Sequence, residues 1–196
     1  MGLNGSGKST LAHAVSKQLC YYEMDIEDYY FPEQKESRLK ALECDSSEKT
    51  LLPDILPFSS SLTKSDVESL LLKDILMHPH FVLAGVTMNW REEILSRVRI
   101  AFLIETPLEI RLQRIQDREI RRFGARVLPG GDMYEQQCEF RRIVAEKDPE
   151  IVYQSIERLS CPIVQLDGTC SIEDNLQLIK RKIATEIKNG YDRVYG

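Results

Sequence analysis

The 196-residue chain lacks several things, and each shortage narrows what it can be. It has no basic excess: 26 Lys and Arg stand against 31 Asp and Glu, for a net charge of −5. Nucleic-acid binders ordinarily show the opposite balance, so no nucleic-acid partner is expected. No apolar run approaches the roughly 18 residues of a membrane span, so no membrane partner is expected either. The N-terminus shows no apolar leader segment. Cysteine is sparse and unpatterned: Cys20, Cys44, Cys138, Cys161 and Cys170 form no C-x-x-C pair. An odd count at such spacing speaks against a disulfide framework or a zinc site, and fits reduced thiols in the cytoplasm. The three histidines (His13 in a helical stretch, His78 and His80 flanking Pro79) suggest structural roles, and no internal repeat is visible.

What remains is 42% hydrophobic and 29% charged, ordinary for one globular domain over 1–196. Short apolar runs at 20–25, 81–86, 98–105 and 162–167 read as strands. Helical spacing recurs between them. Leu11, Val15 and Leu19 mark a first helix over 9–19, and a short one fits around 37–44. Ser65 and Glu68 form a capping-box pair before a helix that stops ahead of Pro79. A polar helix follows around 89–96. Pro107 opens another, with Leu108, Leu112 and Ile115 on its apolar face. One or two helices cover 134–159, and Ser171 with Asp174 caps a last one. Strands alternating with helices predict an α/β three-layer sandwich around a parallel sheet.

The chain begins "MGLNGSGKST", and Gly2-x-x-x-x-Gly7-Lys8-Ser9 meets every fixed position of the phosphate-loop pattern. Glycines let backbone N–H groups crowd an anion, and the helix behind them points its positive end at it. Lys8 supplies a compact charge, and Ser9 a hydroxyl suited to Mg²⁺. Asn4, Gly5, Ser6 and Thr10 complete the loop. "MGLNGS" also fits an N-myristoylation pattern, but the phosphate loop already accounts for each of its residues. The strand that normally leads into such a loop would lie ahead of Gly2. A start assigned too late, a truncated chain and a strandless variant all explain this. We favour the first two, because a sheet without its centre leaves backbone groups unpaired.

The second run ends "EMDIEDYYF". Asp25, Glu27 and Asp28 therefore sit at the C-terminal strand edge, where open α/β sheets bind ligands. A carboxylate there can orient an acceptor, take its proton or hold water on Mg²⁺. A solvated acidic turn is the plain alternative. Arg111, Arg114, Arg118, Arg121, Arg122 and Arg126 then crowd one stretch, followed by Arg141 and Arg142. Planar arginines suit charge on transferring oxygens. The glycine-bounded segment 118–133 has the make-up of a lid, with Arg118, Arg122 and Arg126 favoured as functional. Arg111 and Arg121 read as a solvated face. Asp167-Gly168 leaves the last strand at the same edge, either as a base contact or as a simple turn.

In the order of these parts, most of the chain resembles the P-loop kinases of the nucleoside and nucleotide kinase superfamily, which includes adenylate, uridine, shikimate and gluconate kinases. It also looks like the uncharacterised bacterial "AAA family ATPase" proteins. "GLNGSGKST" matches the loop, "MDIEDYYF" the acceptor-side acids, "RLQRIQDR" the helix opening the lid, and "LDGT" the base-contacting loop. No G-F-P-R follows Gly85 and no G-G-G run is present, so adenylate and shikimate kinase motifs are not matched. The resemblance implies ATP and Mg²⁺ as cofactors, a small-molecule acceptor, and segment 29–62 as an acceptor-side insert. It implies catalytic roles for Lys8, Asp25, Asp28, Arg118 and Arg126. Nucleotide contacts would come from Gly2, Asn4, Gly5, Ser6, Gly7, Lys8, Ser9, Thr10, Arg118, Arg122, Asp167 and Gly168, and metal contacts from Ser9 and Asp25. A nucleotide-binding regulatory module with little turnover is the alternative.

Overall fold

A computed structural model describes residues 1–43 and 61–195. Half of the expected acceptor-side insert, residues 44–60, lies outside the described residues. The elements run α1 (Lys8–Leu19), β1 (Tyr22–Asp25), α2 (Ile26–Tyr30), α3 (Lys35–Glu43), α4 (Lys64–Met77), β2 (Phe81–Ala84), α5 (Glu92–Leu95) and β3 (Ala101–Glu105). They continue with α6 (Leu108–Phe123), α7 (Tyr134–Glu146), α8 (Glu150–Ile156), β4 (Ile163–Asp167) and α9 (Ile172–Tyr195). Every strand falls inside a run expected from the sequence, each shorter by one to three residues.

The class is α/β with parallel strands, as expected. Tyr22 pairs in parallel register with Phe81, and Ala101 with Ile163. The layers follow from strand alternation, which sends successive side chains to opposite faces. Leu103 joins a core with Met24, Val67, Leu71, Ile94 and Val152, under α4, α5 and α8. Its neighbour Ile104 joins a separate core with Leu11, Val15, Leu176 and Ile179, under α1 and α9.

Among the described residues the strands form two two-stranded pieces, β1–β2 and β3–β4. Met1 pairs along the edge of β3. Its nitrogen donates to the Phe102 carbonyl at 2.7 Å, and its carbonyl accepts from Ile104 N–H at 2.9 Å. That is the hydrogen-bond pattern of a parallel ladder, one residue long.

Two local expectations also shift. The cap of α4 is Thr63 with Asp66, two residues earlier than Ser65 and Glu68. Glu68 instead accepts from the Arg91 backbone and guanidinium across to the segment before α5. On α6 the buried stripe is Arg111, Ile115 and Glu119 rather than the leucines. Arg111, expected on a solvated face, is only 5% exposed. Its Nε donates to the Thr106 carbonyl and its Nη1 to that of Asn4, so loop carbonyls replace water around it.

Candidate active site

The expected phosphate loop runs from Gly2 into the first turn of α1. Gly5 has φ 80°, and a Cβ there would stand 2.5 Å from the Arg111 carbonyl oxygen, so the position admits only glycine. Gly7 is the N-cap of α1, with φ 100° and no side chain satisfying the helix end. The first N–H groups of α1 therefore face outward, with the positive end of a twelve-residue helix behind them. Ser6 is 1% exposed and its Oγ has no hydrogen-bond partner, while Thr10 stands exposed on the first helical turn.

Lys8 folds back, its Nζ donating to the Leu3 carbonyl at 2.9 Å. Burial lowers its pKa from 10.5 to about 8. Glu27 and Asp25 oppose that shift, while Arg118 and Lys147 add to it. Two acids and two further cations thus converge on the Lys8 ammonium.

Ser9 Oγ donates to Asp25 Oδ2 at 2.5 Å. Asp25, 4% exposed, ends β1 and caps α2, accepting from Glu27 N–H through Oδ1. Asp28, 6% exposed, lies one turn on in α2. Arg38 of α3 grips it bidentately, Nε to Oδ1 at 2.8 Å and Nη2 to Oδ2 at 2.6 Å. The same guanidinium donates to Glu23 Oε1 at 2.9 Å and reaches to 4.0 Å from Asp25 Oδ2. Glu23 in turn bonds His13 Nδ1 of α1 at 2.7 Å. Burial raises the Asp28 carboxyl above its ordinary value, against the pull of Arg38. Burial alone would lower the Arg38 guanidinium, but its bonds to Asp28 and the nearby acids raise it overall.

The arginine stretch divides. Arg114 Nη2 donates to the Gly168 carbonyl at 2.8 Å and Nη1 lies 3.5 Å from the Ser6 carbonyl, so it ties the last strand's loop to the phosphate loop. Arg118 Nε donates to buried Glu119 at 2.9 Å. Arg122 is lowered by burial and donates to Gln34, across to the turn before α3, while its Nε lacks a partner. Arg126 pairs with Asp132 inside the segment between α6 and α7. Arg142 pairs with Glu139 and Glu146 on an exposed face of α7. The structure therefore brings Lys8, Ser9, Asp25, Asp28 and Arg118 into one region and leaves Arg126 on the outer segment.

At the last strand Asp167 Oδ1 accepts from the N–H and hydroxyl of Thr169, and these bonds lower its pKa. A Cβ on Gly168 would collide with Thr106 Oγ1. Sequence reasoning missed Arg38, Arg114 as a brace, and Lys147, whose Nζ lies 3.5 Å from Asn4 Oδ1. Arg114 was visible in the arginine series. Lys147 and Arg38 had no local signal, because their partners are distant in sequence.

The residues present fit a magnesium-bound nucleotide. The open end of α1 and the loop glycines form an anion cradle. Ser9 and Asp25 offer hard oxygen donors side by side. Among the described residues no cluster of three or more His, Cys, Asp or Glu could hold a metal alone.

No family model matches the chain. It is 25% identical over 187 residues to the "Uncharacterized protein YqaC" of Bacillus subtilis (strain 168), covering 91% of this chain and 92% of that protein. Among solved structures it is similar to a gluconokinase from Sinorhizobium meliloti 1021, at 15% identity and TM-score 0.49, covering 98% of this chain and 94% of that one. It is similar to shikimate kinase from Aquifex aeolicus vf5, at 18% identity and TM-score 0.45, covering 100% and 97%. A sugar kinase from Janibacter sp. HTCC2649 aligns at 15% identity and TM-score 0.47, covering 91% and 88%.

Proposed function

We propose that the protein is an ATP-dependent phosphotransferase acting on a small hydroxyl- or phosphate-bearing metabolite of the nucleoside or nucleotide class. The observation that carries this reading is the Ser9–Asp25 hydrogen bond. It fastens the metal-binding position of the phosphate loop to an acid at the neighbouring strand's ligand edge. A second buried acid, Asp28, lies one turn away in α2 and supports the same reading.

The loop backbone and Lys8 hold the β- and γ-phosphates. Mg²⁺, when bound, neutralises charge on their oxygens. Asp25 or Asp28 orients the acceptor and takes the proton released as its oxygen bonds to the γ-phosphorus and the bond to ADP breaks. Lys8 and Arg118 balance charge on the transferring group, and Arg122 and Arg126 belong to the lid segment. Asp167 and Gly168 border the base.

Arg38 favours a second reading. It neutralises the acceptor-side acids in this state, as suits a nucleotide-binding module with slow turnover. One experiment decides. The full chain, with ATP and Mg²⁺, is screened against nucleosides, nucleotides and sugars for ADP release coupled to a phosphorylated product. Transfer to one class supports the kinase. Binding of ATP without transfer to any acceptor, and hydrolysis only with a protein partner, overturns it.

A further inference from the structure

The cations around the candidate site differ in what they face. Arg38 faces Asp28 and Glu23, Arg118 faces Glu119, and Arg126 faces Asp132. Lys8, Arg111 and Arg114 donate to backbone carbonyls. Arg122 and Lys147 have neither arrangement, and among the described residues neither takes part in an ion pair. Arg122 stands half-buried in the last turn of α6. Its Nη2 donates to a neutral partner, Gln34 Oε1, at 3.1 Å, and its guanidinium lies 5.1 Å from the Phe123 ring centre. Its Nε is buried with no partner. Lys147 stands half-buried at the C-cap of α7, its Nζ 3.5 Å from Asn4 Oδ1, the outer limit of a hydrogen bond.

A helix C-terminus favours an exposed cation. It does not favour burying one, and burial lowers the pKa of both groups. A charge held half-buried without an acid is incompletely satisfied by the protein, and an anion is the partner that completes it. Position says which anion. Glu27 of α2, exposed and in no ion pair among the described residues, acts electrostatically on both cations. Asp28 follows it in α2, and Gln34, which Arg122 reaches, lies within segment 29–62. Asn4, beside Lys147, belongs to the glycine loop. The two cations therefore bear on the ground between that loop and the acceptor side. The expected base contact lies elsewhere, where Arg114 holds the Gly168 carbonyl. Arg38, from the acceptor side, is already committed to Asp28 and Glu23.

We propose that Arg122 and Lys147 form an anion subsite for the acceptor, which therefore carries a carboxylate or phosphate group of its own. The inference rests on the proposed activity and narrows it to anionic acceptors. The anion's oxygens accept from the unpartnered Arg122 Nε and from the Lys147 ammonium, and neutralise both. A neutral nucleoside or sugar leaves both charges unmatched.

The test needs no identified acceptor. The full chain, with Mg²⁺ and a saturating non-hydrolysable ATP analogue, is titrated calorimetrically with inorganic phosphate and with acetate at constant ionic strength. One of these anions should bind in the millimolar range, and the tighter of the two names the source of the charge. Arg122→Gln and Lys147→Gln should each weaken that binding at least about tenfold, while Arg122→Lys and Lys147→Arg retain most of it. Affinity for the analogue should not change. Melting temperatures of the glutamine variants should hold or rise, because no acid is left stranded. Binding of neither anion to the native chain would overturn the subsite. A matching loss of analogue affinity in the glutamine variants would give both cations to the nucleotide instead. Lower melting temperatures with anion binding intact would make them structural. If the native chain does not bind the analogue, the proposed activity falls first. The same titrations on the unloaded chain then decide the subsite by its dependence on Arg122 and Lys147.

Discussion

Ser9 Oγ and Asp25 Oδ2 stand 2.5 Å apart, joining the first turn of α1 to the end of β1. The bond locks the serine hydroxyl toward the strand edge. It also ties the acid's second oxygen to the N-terminus of α2 through Glu27 N–H. Each oxygen of Asp25 therefore has a separate task, one at the loop and one at the cap. On the proposed reading, these are the two protein oxygens that a magnesium ion arriving with phosphate would meet.

Asp25→Asn tests that arrangement. The amide keeps an oxygen to accept at the cap, turns its NH2 toward Ser9, whose hydroxyl oxygen can accept from it, and loses the charge. The variant should melt within a few degrees of the native chain. Magnesium-dependent turnover should fall by about 10²-fold or more, the usual range for losing a positioned acid or base. Unchanged turnover, measured as ADP release with saturating acceptor, would remove Asp25 from the chemistry.

Lys8→Ala should abolish nucleotide binding, read by isothermal titration, with little change in melting temperature. Its ammonium makes one hydrogen bond, to a loop carbonyl. The native lysine, held near 8 by burial, is charged below that pH and increasingly neutral above it. Phosphate favours the charged form, so binding takes up a proton above pH 8. ATP affinity should weaken there by up to about tenfold per pH unit. Lys8→Arg, charged throughout, should flatten the profile if it binds at all.

The strands were legible because β-type apolar runs bounded by polar residues leave little choice of structure, as at Phe81–Ala84 and Ala101–Glu105. The glycine turn over 2–7 and the helix start at Lys8 were legible because they are encoded within eight residues. Ser171 and Asp174 were read correctly as a cap for the same local reason. Arg111 was misread because its charge argued for water. Only the tertiary placement of the Thr106 and Asn4 carbonyls made burial possible. Arg38 was invisible because it lies 10 residues from Asp28 and 15 from Glu23, beyond any helical or strand period. Interactions closed within one turn can be read from a sequence, whereas those closed by the fold cannot.

Arg38→Met should show what the grip on Asp28 is worth. The guanidinium is 13% exposed and the Asp28 side chain 4%, so removing the cation leaves a buried carboxylate unpaired. Loss of about 3 kcal/mol is expected in urea denaturation at neutral pH. The loss should shrink toward acid pH. Asp28 is already raised by burial, and without Arg38 it would rise further and take up a proton on folding. Adding Asp28→Asn should restore most of the stability, giving a coupling energy of comparable size. Additive losses in the double variant would mean that the pair does not act as a unit.

The terminal amine of Met1 gives the chain a pH signature of its own. Its folded value of about 5 lies below its ordinary 8.0, through burial first and the Lys8 charge second. Between those pH values the unfolded chain binds the proton and the folded chain does not. Stability from this group therefore rises with pH from about 5 to about 8 and is constant outside that window. The full swing is at most about 4 kcal/mol, three units at 1.36 kcal/mol each. An Nα-acetylated chain keeps the N–H that bonds Phe102 but cannot titrate. Its melting temperature should exceed that of the unmodified chain at pH 5, and the gap should close toward pH 8. Comparing the two chains cancels every other titrating group, Asp28 included, so a gap independent of pH would show that the amine is not buried against Phe102 in solution.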